Sequence, residues 1–297
     1  MMKEDVLVDQ IGEVRPPGKS HRWFAGIHFA TRALAVFAIC LLVYGLLWNY
    51  ATRRYLKGFS DAIVPLQGTQ EQRTEALLAW FRHEPRRLNT GVQGEVSLRD
   101  PVIIVQNERL LKICGSASNA FINLASAAGL KTRRLLLLDN AGIVMHVVVE
   151  VWWGDRWAVV DPQQGRVFRD LQGRPLSKED LRKPAKFAEA LSAMPGYRPE
   201  YNFAHIIHIR TGRMPFGSMV RGTLSHLFPN WEEVVNWGYF PENPSLWPII
   251  FALPLLFVSL VLHGLVGWYG RKKLGVDTWG LRERFRQAGR VFLHRTA

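Results

Sequence analysis

Two long apolar runs constrain this chain more than any other feature. The first covers residues 24–51 and has a clean apolar core, ALAVFAICLLVYGLLW at positions 33–48, with Arg32 as the run's single charge. The second, residues 247–269, carries no charged side chain and begins and ends with aromatics, Trp247 and Tyr269. About 20 apolar helical residues cross the hydrocarbon core of a bilayer, and aromatic rings suit its interface. Each run therefore reads as a membrane-spanning helix. The first has a late, long core followed by ATRRYLK, a poor cleavage site, so it reads as a retained anchor rather than a signal peptide.

The flanks orient the spans. Arg271, Lys272 and Lys273 follow the second run directly, whereas no Lys or Arg occurs between Arg221 and Arg271. Positive flanks stay on the cytoplasmic side, so the tail after residue 269 is expected in the cytoplasm. Two spans then return the N-terminus to the same side and place residues 52–246 outside. Arg53, Arg54 and Lys57 sit on the outer side of the first span and blur its own signal, but the asymmetry of the second is sharper. The net charge is +13, and residues 247–297 hold 8 basic against 2 acidic residues. A basic tail after an apolar run is a membrane flank, and no basic–aromatic groove pattern accompanies it, so a nucleic-acid partner is not expected.

The expected plan has five parts. Residues 1–23 form a cytoplasmic tail containing Pro16-Pro17-Gly18, and residues 24–51 the first span. Residues 52–246 form an exoplasmic domain, residues 247–269 the second span, and residues 270–297 a basic cytoplasmic tail. In that tail Leu281, Phe285, Ala288 and Phe292 fall on one helical face beside Arg282, Arg286 and Arg290. This is the pattern of an interfacial helix on anionic lipid. Phe228, Trp231, Trp237, Tyr239 and Phe240, ahead of the second span, are expected to rest at the membrane interface.

Within 52–246, residues 71–83 repeat Leu77, Leu78 and Phe81 at helical spacing, and residues 116–128 place Ala117, Phe121, Leu124 and Ala128 on one face. Residues 89–101 read as loop. Residues 133–138, 143–153 and 156–160 are rich in β-branched and aromatic side chains. Asp139-Asn140-Ala141-Gly142 and Gly154-Asp155 separate them as hairpin turns. Helices followed by successive hairpins give an α+β domain with an antiparallel sheet packed on helices. In the strand at 143–153, Ile143, Met145, Val147, Val149 and Val151 form a uniformly apolar face expected toward the core. Val144, His146, Val148, Glu150 and Trp152 lie on the other, more mixed face.

The chemistry-bearing residues follow from this layout. Of the two cysteines, Cys40 lies inside the first apolar run, so no disulfide is expected, and no CxxC suggests zinc. Cys114 lies where a loop runs into a helix, beside Gly115 and Ser116. Free amides and the helix dipole there favour thiolate over thiol. A thiolate nucleophile needs a base, and the base needs an orienting acceptor. His146 is on a strand, and Asp161 ends the next one, across the 154–155 turn and within reach of the imidazole. His205 and His208 (HIIH) suit packing better than metal binding. Trp152, Trp153 and Trp157 suit hairpin cover better than a substrate groove. No cofactor or metal is expected.

Residues 112–162 resemble the core of the transglutaminase-like superfamily, within the papain-like cysteine enzymes. The resemblance rests on Cys114 opening a helix, on Gly129-Leu130-Lys131-Thr132-Arg133 at its exit, and on His146 followed by Glu150-Val151. Trp157 followed by Asp161-Pro162 completes it. It implies a Cys-bearing helix packed on an antiparallel sheet, with Cys114, His146 and Asp161 as catalytic residues of an acyl-transfer enzyme acting on an amide. Protease or amidase action is favoured over crosslinking, because many bacterial relatives are hydrolases. Such enzymes often complete the oxyanion hole with an aromatic or glutamine upstream. Here no Trp lies between Trp80 and Cys114, and Gln106 is the candidate that remains. The resemblance leaves residues 165–245 unexplained.

The expected protein is thus a two-span protein of the bacterial inner membrane with a periplasmic domain and both termini cytoplasmic. Its partners would be a protein or peptide substrate, associated with an envelope polymer, and membrane lipid. The rival reading is a non-catalytic scaffold of the same fold that binds a peptide or a polysaccharide-assembly partner. Alkaline phosphatase fused after residue 160 is expected to be active in cells; an inactive fusion there, with an active one after residue 275, would reverse the orientation.

Overall fold

A computed structural model describes residues 19–83, 99–209, 217–229, 231 and 243–274. The tail at 1–18, most of the loop expected at 89–101, Trp237, Tyr239 and Phe240, and the amphipathic helix expected at 281–292 lie outside these residues. The chain divides into two units, residues 1–45 with 248–297, and residues 46–247.

The first unit is built from two long apolar helices. Helix α1, Lys19–Ile63, continues well past the expected span, and the last helix covers Trp247–Leu274. Both are long and apolar enough to cross a membrane, and most of each apolar window is unburied, as lipid-facing surface would be. Phe37, Leu47, Phe257 and Leu265 are among the exposed side chains. Thr31 Oγ1 meets His263 Nδ1 at 3.1 Å, and the rings of His28 and His263 lie 4.4 Å apart, so polar side chains tie the pair together.

The second unit is a mixed α+β domain. It contains α2 (Gln70–His83), the short α3 (Pro101–Val105) and α4 (Glu108–Leu111), α5 (Cys114–Ala127), β1 (Thr132–Leu138), β2 (Val144–Trp152), β3 (Trp157–Asp161) and β4 (Arg166–Val167). These are followed by α6 (Lys178–Leu181), α7 (Pro184–Ser192), β5 (His205–Ile207) and α8 (Gly217–Leu227). The strands form one antiparallel sheet in the order β4-β3-β2-β1-β5. Asp139 makes the first hairpin by accepting the amides of Ala141 and Ile143 at 2.9 and 2.7 Å. Gly142 supplies the positive φ that this turn requires.

Both faces of the sheet are covered, which explains why β2 and β3 lack a polar face. On one side Val149, Val151 and Val160 pack with Leu77, Leu78, Phe81, Phe121 and Leu124 from α2 and α5. On the other, Leu135, Leu137, Val148 and Val159 pack with Phe168, Leu181, Phe187, Tyr197 and Phe203. The mixed face of β2 therefore meets a second packed layer, supplied by residues 165–203. Gly165, in the turn between β3 and β4, lets that edge of the sheet close on α2: its φ is +61°, and a Cβ there would sit 2.8 Å from the Leu78 carbonyl. The carbonyl of Gly165 accepts from Arg82 Nη2 at 2.7 Å.

One expectation needs correction. Ile143 and Met145 do not join the core but stand 59 and 41 % exposed. The register between β1 and β2 slips where Leu137 pairs with His146 and Leu138 with Val144. Met145 is the extra residue, and a bulge breaks strict alternation. After the expected loop, residues 101–111 form two short helices, capped by Asp100 and Asn107.

Glu150 is fully buried on the second face and bonded by Arg133 Nε and Nη2 at 2.6 and 3.2 Å. The Arg133 guanidinium lies 4.1 Å from the centroid of the Trp157 ring. Burial pushes the Glu150 carboxyl up, against the pull of Arg133 and Lys178. Removing one partner of a buried pair strands the other charge. Glu150→Ala is expected to destabilise the domain by about 3–5 kcal/mol, read as a loss of melting temperature in lipid nanodiscs.

Candidate active site

Cys114 is the first residue of α5, with Ile113 at the N-cap. Its position follows from a mismatch in strand length. The pairing of β2 with β3 ends at Val149 opposite Val160, so through His146 and Val147 β2 is paired with β1 alone and its other edge is open. Helix α5 takes up the vacant edge: Ser118 Oγ donates to the Val147 carbonyl at 3.0 Å, and the Val147 amide lies on the side of Cys114, where it favours the thiolate. The helix start is thereby pinned beside the histidine that precedes Val147.

His146 and Asp161 meet on the second face of the sheet. With Glu150 opposite Val159, the register carries Asp161 level with Val148 and within reach of His146. His146 Nε2 bonds Asp161 Oδ2 at 2.6 Å, with the two side chains 1 and 0 % exposed. Nδ1 is then the ring nitrogen left for the thiol. The other carboxylate oxygen, Oδ1, accepts the Gln164 amide at 3.1 Å. Cys114, His146 and Asp161 thus come together, His146 bonded to Asp161 and close enough to Cys114 for each to shift the other's ionisation, with Cys114 the partly exposed member.

Electrostatics sharpen the arrangement. Burial opposes charge on His146, but its bonds to Asp161 and Cys114 and their negative charge prevail and push its pKa up to about 9. Burial likewise opposes a thiolate at Cys114, yet the hydrogen bond and charge of His146 and the amides of Val147 and Gly115 bring the thiol below its ordinary value. Both shifts favour the thiolate–imidazolium form of the pair. Arg134 adds positive charge. Its Nη2 donates to the Gly115 carbonyl at 3.3 Å. Burial lowers it to about 10, with Cys114 favouring the cation and Arg99 opposing it.

The remaining candidates have other places. Gln106 donates through Nε2 to the Tyr55 hydroxyl at 2.7 Å. His205 is exposed on β5, whereas His208 Nδ1 donates to the Arg134 carbonyl at 2.7 Å and its Nε2 faces Lys178 at 3.2 Å. Among the described residues no group of three side chains is arranged for a metal. Trp152 and Trp157 pack edge to face at 5.3 Å with Lys131 over both rings, and Trp153 Nε1 donates to Thr74 Oγ1 at 3.1 Å. These rings cover the hairpin end. Phe228 is exposed and Trp231 buried.

Four contributors escaped the sequence reading: the Val147 amide, Arg134, Tyr197 and Tyr201. The Tyr201 ring stacks on His146 with centroids 4.3 Å apart and 7° between planes, and Tyr197 meets His146 edge-on at 6.0 Å. The only signal in the chain is the pair of tyrosines four residues apart in an irregular stretch. No family model matches the chain, and neither a curated protein nor a solved structure matches it.

Iodoacetamide is expected to label Cys114 at pH 6 faster than it labels a free cysteine, because its lowered pKa leaves more of it as thiolate. Asp161→Asn removes the charge that supports imidazolium and should slow labelling at pH 6 by about tenfold or more, one pKa unit being tenfold in thiolate. Labelling at pH 10 should change little. Peptide-resolved mass spectrometry separates Cys114 from Cys40 in both measurements.

Proposed function

We propose that this chain is a membrane-anchored cysteine enzyme that transfers acyl groups from an amide, built on a transglutaminase-like core. The observation that carries this reading is the buried 2.6 Å bond between His146 and Asp161 behind a thiol at a helix start. A structural histidine needs no carboxylate on one side and a thiol on the other. A nucleophilic pair needs both.

In the proposed reaction the Cys114 thiolate attacks the amide carbonyl, and the carbonyl π electrons move onto oxygen. The amides at the start of α5 are placed to receive that charge. Imidazolium His146 gives its proton to the departing amine as the C–N bond breaks, leaving a thioester on Cys114. Water then attacks the thioester, with neutral His146 taking its proton, and the acid leaves as the thiolate returns. An amine in place of water would give a new amide; hydrolysis is the reading that the resemblance favours. Asp161 fixes the ring and stabilises its cation.

The two apolar helices support an address in the bacterial inner membrane, and the charge at 271–273 supports a cytoplasmic C-terminus. The domain would then face the periplasm, with a peptide or a protein of envelope-polymer assembly as substrate.

Turnover is expected to follow a bell in pH. It rises as Cys114 ionises, below the ordinary thiol value, and falls as His146 loses its proton near 9. Cys114→Ala, accumulating normally in the membrane, is expected to abolish the cellular function and the thioester adduct seen by mass spectrometry. Full complementation by that variant would replace the enzyme reading with a binding scaffold.

A further inference from the structure

The unexplained segment after β4 reaches back to the site through one ring. Tyr201 is half-buried and lies nearly parallel to the His146 imidazole, at 4.3 Å and 7°. Neutral aromatic pairs favour offset or edge-to-face contacts, whereas a cation is held best over a ring face. Edge-to-face contacts brace this stack, Tyr197 meeting the His146 ring itself at 80°. Tyr197 meets Tyr201 at 86°, and Phe168 meets Tyr197 at 85°. Phe168 is fully buried on the sheet and also packs on Phe203 at 5.5 Å. This series of rings roots Tyr201 in the core and fixes its plane.

We infer that Tyr201 is a positioning residue for His146, its π face holding the imidazolium in the plane set by Asp161 and shielding that bond from water. The inference rests on Cys114 and His146 being the reacting pair. The groups facing the imidazole are Asp161 from β3, Cys114 from α5, and Tyr197 and Tyr201 from the segment after α7. Arg134 lies on the thiol side, with Arg99 opposing its charge. Arg198, 5.8 Å from the Tyr201 ring, is the second cation on that ring. Loss of the π face weakens imidazolium and, through it, the thiolate. The effect must then appear where the ion pair matters and vanish where the thiol ionises unaided.

The experiment is iodoacetamide labelling of Cys114 in the full chain in nanodiscs from pH 4.5 to 10. Tyr201→Phe should stay within about twofold of the parent at every pH. Tyr201→Leu should be slower by roughly three- to tenfold at pH 6 and equal at pH 10. Equal rates at pH 6, or an equal deficit at both ends, would overturn the inference. Phenylalanines of increasing fluorination at position 201 keep the ring's shape and give a second reading. The pH 6 rate should fall stepwise with fluorine count, and a flat series also overturns it. If instead the parent protein shows the profile of an ordinary thiol, it is the proposed enzyme reading that fails.

Discussion

The peptide group at Val147 is the point on which the site depends. A buried backbone amide and carbonyl must find partners, and β3 is too short to supply them. Helix α5 answers the carbonyl with Ser118 and brings Cys114 to the side of the amide. One unpaired stretch of strand edge therefore decides where the helix starts and brings its dipole, its first amides and its thiol beside His146. The bulge at Met145 acts in the same place, resetting the strand so that His146 turns toward Asp161 while Ile143 and Met145 turn outward.

The second packed layer gives the site its dielectric character. Without residues 165–203, the His146–Asp161 pair would lie on an open sheet face, where solvent screening would weaken its coupling to Cys114. Covering that face raises the cost of every charge on it. Glu150 meets the cost with Arg133, and Asp161 meets it with His146. The two buried carboxylates share one face of adjacent strands, and each is answered by a cation. One pairing holds the sheet together; the other backs the proposed nucleophile.

Much of this was legible in the chain. The apolar runs, the α+β order, the hairpin turns and the reach of Asp161 to His146 all follow from periodicity and from turn residues, because these are local signals. The spans expected at 24–51 and 247–269 match long helices for the same reason, though α1 runs on to Ile63 with Leu56 already in the domain core. What stayed hidden is non-local. An apolar strand facing two layers looks like one facing a single layer until the second arrives. The contact of Tyr201 with His146 joins residues 55 positions apart across an irregular segment. No spacing rule reports such a contact.

Asp161 is held by its own turn. The Gln164 amide occupies Oδ1, while His146 occupies Oδ2. The carboxylate is thus fixed by chain three residues away, so its orientation is inherited from folding and not from any ligand. The proposed machinery has no loose acceptor to be ordered when substrate arrives, and the entropy of aligning it was spent once, as the chain folded. A site built this way would be as reactive empty as full. Access to the thiol, rather than assembly of the triad, would then be the natural place for control.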